Sequence, residues 1–141
     1  MNSYEGKQDE IKNLVIEPRL EVFHNVYPEC NTVIRHTQLE FTSVCPKTSL
    51  PDFGVITVEF VPRELCLELK SFKLYLNAYR NIGIFMENSV NKIATDVVAA
   101  ISPKELMVTG TFCPRGGIQT VVTLSYTHES GFQGPVFLEG I

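Results

Sequence analysis

The sequence predicts an α+β domain, with a four-stranded antiparallel sheet and two helices packed on one of its faces. Two observations favour this class. Apolar and polar residues alternate with a period of two in segments before residue 62 and again after residue 104, which is typical of half-buried strands. Between these segments apolar residues recur at intervals of three and four, as on the buried side of a helix. The predicted element order is therefore ββααββ.

The first strand pair is predicted over residues 32–41 (TVIRHTQLEF) and 55–61 (VITVEFV), both rich in β-branched residues. The stretch FTSVCPKTSLPDFG, residues 41–54, connects them and carries two prolines. We therefore predict a stiff loop there.

The first helix is predicted from Leu69, because apolar and aromatic residues recur at three and four between residues 72 and 79. A second helix of about 16 residues is predicted from Met86. It should end near Pro103, since proline cannot continue the hydrogen-bond ladder of a helix.

The second strand pair is predicted over residues 105–112 (ELMVTGTF) and 118–126 (IQTVVTLSY), joined by the turn CPRGG. The tail after residue 127 contains Gly131, Gly134 and Pro135 and is predicted to be irregular. A four-stranded sheet has open edges, so oligomerisation by edge pairing is compatible with this fold.

Residues 1–31 are predicted to form an N-terminal arm, polar over residues 1–15 and irregular over 17–31, followed by a single packed domain, 32–141. The N-terminus lacks the apolar core of a signal peptide, and no apolar run is long enough to cross a bilayer. The sequence therefore predicts a cytoplasmic protein with no membrane segment.

The formal net charge is −4, which argues against a broad nucleic-acid surface because such surfaces depend on clustered Lys and Arg. A small anionic ligand needs only a local cluster of cations and stays compatible with this charge. The four cysteines include no close pair, which gives little support to a structural zinc site. We expect no bound metal.

Cys45 and Asp52 form the first candidate site. Pro46 holds the backbone of Cys45 in an extended or turn conformation, and the nearby Lys47 favours the thiolate, which is the form that attacks an electrophile. Pro51 orders the far end of the loop, so that Asp52 could protonate the atom that takes up charge. Alternatively the loop only connects two strands, with Cys45 packed as a small apolar residue.

Two further motifs could bind phosphate. Lys70 and Lys73 in ELKSFKLY are three residues apart, so both ammonium groups would lie on one side of a helix. In CPRGG, Arg115 could grip a phosphate while the glycines allow its close approach. The alternatives are an ordinary solvated helix face and a plain hairpin turn.

FTSVCPKTSLPDFG, ELKSFKLYLNAYRN and FCPRGGI, in this order, resemble the nitrile reductase family QueF over roughly residues 40–118. The resemblance implies a tunnelling fold (T-fold) and the NADPH-dependent reduction of 7-cyano-7-deazaguanine to 7-aminomethyl-7-deazaguanine, a step toward queuosine in tRNA. It also implies a homodecamer of two pentamers with active sites at the subunit interfaces.

The resemblance also implies residue roles. Cys45 matches the nucleophile that forms a covalent thioimide, and Asp52 matches the acid that protonates the nitrogen. Glu87 matches the carboxylate that recognises the deazaguanine, and Glu40 has a supporting role. The residues implied for the cofactor are Lys70, Ser71, Lys73, Arg115 and Gly116.

The chain departs from the family pattern at Met86, where a histidine usually precedes the recognition glutamate. A methionine can pack against a flat ring but cannot donate a strong hydrogen bond. Two other functions stay open: an amidine-forming enzyme that acts on the same nitrile in tRNA, and a non-catalytic module that binds a purine or pterin. The favoured function involves no direct contact with nucleic acid.

Overall fold

The computed structural model describes residues 8–133 and has two layers, an antiparallel sheet and two helices. The helices are α1 (Leu69–Ala78) and α2 (Met86–Ile101). The strands are β1 (Val22–His24), β2 (Ile34–Val44), β3 (Pro51–Val61), β4 (Leu65–Leu67), β5 (Glu105–Phe112), β6 (Val121–Thr127) and β7 (Gly131–Gln133). The main sheet has the order β2-β3-β5-β6-β7, and β1 pairs with β4 in a second, two-stranded sheet. The predicted α+β class is confirmed.

Both helices begin where the sequence predicts them. The side chain of Glu68 caps α1 by accepting hydrogen bonds from the backbone N–H groups of Lys70 (2.9 Å) and Ser71 (2.7 Å). Helix α2 ends at Ile101, and its C-cap residue, Ser102, adopts a left-handed conformation with φ 43° just before Pro103.

The prediction of four strands in the main sheet is wrong, because β7 adds a fifth strand along β6. The predicted loop 41–54 is also too long. Strand β2 runs to Val44 and β3 starts at Pro51, so only residues 45–50 form the turn. Proline is compatible with the first position of a strand, where its missing N–H costs no ladder bond.

Two segments predicted to be irregular contain short strands. Within residues 17–31, β1 pairs antiparallel with β4, and within the tail after residue 127, β7 pairs with β6. The fourth predicted strand begins at Val121 rather than at residue 118, because Ile118 closes the preceding turn with Arg115. Residues 134–141 of the predicted tail, and 1–7 of the arm, lie outside the described residues.

One core joins the layers. Alternate residues of β3 (Ile56, Val58 and Phe60) lie in the same core cluster as the buried residues of α2, and all are at most 1% exposed. The described part of the arm also contributes to this core through Ile11 and Ile16. The division of the chain into an arm, 1–31, and a domain, 32–141, stays a prediction. None of the helices within residues 8–133 is long and apolar enough to span a membrane.

Candidate active site

Cys45 lies at the base of the tight turn that joins β2 to β3. Its backbone N–H donates to the Leu50 carbonyl (2.9 Å), and its carbonyl accepts from the Ser49 N–H (2.9 Å). Ser49 adopts a left-handed conformation with φ 59°, which closes the turn. The half-buried thiol is therefore held in a fixed backbone frame.

The surroundings of Cys45 favour its thiolate. Partial burial acts to raise the pKa of the thiol, but hydrogen bonds from the Thr48 hydroxyl and from the backbone N–H groups of Thr48 and Lys47 outweigh it. The net effect is a Cys45 pKa below its ordinary value, despite an opposing contribution from the Asp52 charge. The sequence argument credited the ammonium group of Lys47, whereas in the structure its backbone N–H has this effect. Thr48 was missed, although a hydroxyl three residues beyond a cysteine in a turn is a usable signal.

Asp52 lies on β3, in register with Ser43 on β2, and is only 3% exposed. Its carboxylate forms an ion pair with the guanidinium of Arg115, which reaches it from the turn between β5 and β6. The Ser43 hydroxyl is buried beside this strand position and has no hydrogen-bond partner among residues 8–133. The structure thus groups Arg115 with Asp52, whereas the sequence grouped it with the lysines of α1.

Two backbone hydrogen bonds tie the end of β2 to the segment that enters α2. Val44 N–H donates to the Ile82 carbonyl (3.0 Å), and Ile84 N–H donates to the Val44 carbonyl (2.9 Å). Val44 precedes Cys45, and the paired segment leads directly into Met86 and Glu87. Cys45 and the proposed recognition residues therefore share one end of the molecule.

Met86 and Glu87 occupy the first turn of α2, where Met86 is half-buried and Glu87 is exposed. Gln8 from the arm contacts this turn: its Oε1 accepts from the Phe85 N–H (3.2 Å) and from Asn88 Nδ2 (2.9 Å). Sequence reasoning missed Gln8, because a glutamine in a polar segment carries no local signal of such a contact.

The cofactor candidates on α1 differ from one another. Lys70 and Lys73 are exposed, and Lys73 lines a cavity of about 330 Å³ between β2 and α1. Ser71 is buried, and its hydroxyl accepts from the Glu21 N–H (2.9 Å) and donates to the Glu68 carbonyl (2.9 Å). Ser71 thus fastens the segment before β1 to the start of α1.

The remaining candidates lie elsewhere. Gly116 is exposed in the CPRGG turn with φ 59°, a conformation that favours glycine. Glu40 is exposed within the irregularity of the β2–β3 register between Gln38 and Phe41, and it lines an open cavity of about 800 Å³ together with Arg80 and Phe53. Cys45, Asp52 and Glu87 are not among the residues that line this cavity. Within residues 8–133, no three His, Cys, Asp or Glu side chains are grouped to hold a metal ion.

A family model described as "QueF-like protein" matches residues 51–131, more than half of the chain. The chain belongs to the QueF family. A QueF relative from Elusimicrobium minutum (strain Pei191) is 55% identical over 109 residues, which cover 77% of this chain and 82% of that protein. One from Chloroherpeton thalassium is 53% identical over 78% of this chain and 95% of its own length. Both are named NADPH-dependent 7-cyano-7-deazaguanine reductase.

A solved structure also matches. It is the crystal structure of the archaeosine synthase QueF-Like in the apo form, 27% identical in sequence with a TM-score of 0.62. The match covers 66% of this chain and 91% of that chain. The fold and the sequence thus point to the same family.

Proposed function

We propose that this QueF protein is an NADPH-dependent reductase that converts the nitrile of 7-cyano-7-deazaguanine to an aminomethyl group, in queuosine biosynthesis. The observation that carries the proposal is the Cys45 thiol, whose pKa is lowered by hydrogen bonds in the turn. A thiolate at this position is poised to attack an electrophilic carbon. Relatives that share half of its residues over most of their length carry the name of this activity.

In the proposed reaction, Cys45 Sγ bonds to the nitrile carbon while the nitrogen takes a proton, which gives a thioimide. Asp52 is the proposed proton donor. NADPH supplies a hydride to the carbon, and loss of the Cys45 thiolate then leaves an imine. A second NADPH and a second proton complete the amine, so each nitrile consumes two NADPH and two protons. Covalent capture makes chemical sense because a protonated thioimide accepts hydride more readily than a nitrile does.

Asp52 can act as the acid only if its carboxyl group faces the substrate nitrogen, and in the structure that group contacts the Arg115 guanidinium. We therefore infer that the Arg115 contact loosens when substrate and cofactor bind. An arginine carries five N–H donors, and the contact with Asp52 engages Nη1. The side chain is 37% exposed and can turn toward a phosphate without crossing the core.

The donor set on α1 fits an anionic cofactor. Lys70 and Lys73 lie one turn apart, both are exposed, and neither ammonium group forms an ion pair within residues 8–133. Together with Arg115 and the backbone around Gly116 they are the proposed phosphate ligands of NADPH. Ser71 would contribute only by ordering the start of α1, since its hydroxyl and its backbone N–H are both already engaged.

Glu87 is the proposed ligand of the deazaguanine ring N–H and exocyclic amine, with Met86 packed on the ring and Glu40 in support. The chain is proposed to adopt a T-fold, to assemble as a homodecamer of two pentamers and to reside in the cytoplasm. Within the described residues β2 pairs on one side only, and its Leu39 is 71% exposed, which supports edge pairing with another subunit.

The test is to incubate the purified protein with 7-cyano-7-deazaguanine and measure its mass, then to follow NADPH absorbance. We expect an adduct of one substrate per chain, and two NADPH oxidised per amine formed. An undiminished adduct on Cys45→Ala would contradict the covalent mechanism. No NADPH oxidation by the wild type would contradict reduction.

The second candidate function is amidine formation on the same nitrile in tRNA, which the structural match to an archaeosine synthase favours. Product formation with nitrile-bearing tRNA and ammonia, without NADPH oxidation, would support it. Binding of the base with neither adduct nor turnover would instead support a non-catalytic purine-binding or pterin-binding module.

A further inference from the structure

The side chain of Gln8 lies across the start of α2 and makes three hydrogen bonds there. Its Nε2 donates to the Gly83 carbonyl (3.1 Å), and its Oε1 accepts from the Phe85 N–H (3.2 Å) and from Asn88 Nδ2 (2.9 Å). These three partners flank residues 86 and 87 on both sides. One side chain therefore fixes the backbone on either side of the proposed recognition pair.

Gln8 supplies a cap that α2 does not provide for itself. The N-cap residue is Phe85, which has no side chain able to accept a hydrogen bond from the first turn. In a capping box, the side chain of the third helical residue accepts from the N-cap N–H. Here Gln8 accepts from that N–H and also binds the side chain of the third helical residue, Asn88. A distant segment thus takes over a local capping role.

The same side chain reaches the segment beside the nucleophile. Gly83 stands between Ile82 and Ile84, the two residues that pair with Val44. The hydrogen bond from Gln8 to Gly83 therefore connects the start of α2 to the strand that carries Cys45.

The arm that carries Gln8 is itself anchored. Ile11 is 8% exposed and Ile16 is 5% exposed, and both pack in the core. Lys92 on α2, held by Asp96 (3.1 Å), also donates to the Lys12 carbonyl (3.5 Å). The segment that carries Gln8 is thus packed against the core and α2, which places Gln8 at the start of that helix.

We propose that Gln8 is a positioning residue for the substrate site: it sets the affinity for the deazaguanine by fixing the turn that carries Met86 and Glu87. The inference rests on the proposed function, because it takes Glu87 as the ligand of the base. Gln8 is assigned no contact with the substrate and no part in cofactor binding.

The test uses the full chain with Cys45→Ala, so that binding of 7-cyano-7-deazaguanine is measured by calorimetry without covalent capture. Gln8→Met keeps the length of the side chain but removes its hydrogen bonds, and Gln8→Ala removes the side chain. We expect both to weaken binding of the base about tenfold, as misplaced positioning groups do. The NADPH dissociation constant should change by less than about twofold, because none of the hydrogen bonds that Gln8 makes within residues 8–133 is with α1.

The matched control is Asp9→Ala, since Asp9 is the adjacent, exposed residue and its side chain makes no cap hydrogen bond. It should bind the base as the parent does. With Cys45 restored, Gln8→Met should raise KM for the nitrile and leave KM for NADPH unchanged, which general destabilisation would not do.

Two results would overturn the inference: binding of the base by both Gln8 variants within about twofold of the parent, or equal weakening for base and NADPH. If the parent binds the base and Glu87→Gln weakens it while the Gln8 variants do not, the inference fails alone. If the parent itself does not bind the base, the proposed function fails, and the inference with it.

Discussion

The end of the molecule around Cys45 and the exposed side of α1 differ in whether their polar side chains find partners within one chain. At the first, three polar groups already have partners: Cys45 with Thr48, Asp52 with Arg115, and the start of α2 with Gln8. At the second, Lys70 and Lys73 extend into solvent. The chain thus preorganises the thiol of the proposed chemical step, and leaves the proposed cofactor surface to be completed by the ligand or a second subunit.

Replacing Cys45, the proposed nucleophile, should have the largest effect on turnover. Cys45→Ala should abolish the mass adduct and lower turnover by about a thousandfold or more, because the covalent route is lost. The matched control is Cys30→Ala, since Cys30 is also a free thiol but is exposed and distant in sequence. If Cys45→Ala retains turnover, the end of the molecule around Cys45 is not the region that carries the chemical step.

Neutralising the proposed acid should have the second largest effect on turnover. Asp52→Asn keeps the shape of the side chain but cannot supply a proton as a carboxylic acid does, so kcat should fall by about a hundredfold. Ser43→Ala, at the opposite register position, tests whether the effect is specific to the carboxyl group. Steady-state kinetics should show a much smaller loss for Ser43→Ala, and equal losses would count against Asp52 as the acid.

Removing the exposed cations should weaken the binding of NADPH and leave the chemical step unchanged. Lys70→Ala and Lys73→Ala should each raise KM for NADPH by about tenfold with little change in kcat, since a phosphate contact is lost while the turn around Cys45 is untouched. The effect should shrink as salt is added, because exposed charges are screened. Arg19→Ala, which also removes an exposed cation, should leave KM for NADPH unchanged. A fall in kcat without a rise in KM would place the lysines in the chemical step.

The smallest effect should come from Thr48→Val, which removes the hydroxyl that bonds to the thiol and that accepts from the Leu50 N–H (3.2 Å), and keeps the backbone N–H donors to the thiol. Because the Thr48 hydroxyl lowers the pKa of Cys45, its loss should raise that pKa. The rate of alkylation by iodoacetamide follows the thiolate, so its rise with pH should move to higher pH. A profile that is unchanged or moves to lower pH would show that the hydroxyl does not activate Cys45.

The sequence predicted the long, periodic elements and missed the short or distant ones. Helix α2 was predicted over its full length, because its apolar period is clear and Pro103 ends it. Strands β1, β4 and β7 have three residues each, too few to display a period of two. Their existence depends on pairing with partners that are remote along the chain.

The same reason applies to the site. Cys45 and Asp52 were identified as candidates from a local stretch, and their roles stay predictions. The Arg115 contact with Asp52 joins residues 63 positions apart, and that of Gln8 with Asn88 joins residues 80 positions apart. No local pattern encodes such distances, so the tertiary structure had to supply both contacts.

The pairing of Val44 with the segment before α2 has a consequence for engineering substrate specificity. Its hydrogen bonds use main-chain atoms alone, so they do not involve the side chains of residues 82–84. Ile84 is 0% exposed and is held by packing in the core, whereas an added Cβ at Gly83 would meet no atom within 4 Å. A library that varies residue 83 could therefore change the surface next to the proposed recognition pair while the main-chain pairing beside Cys45 is kept.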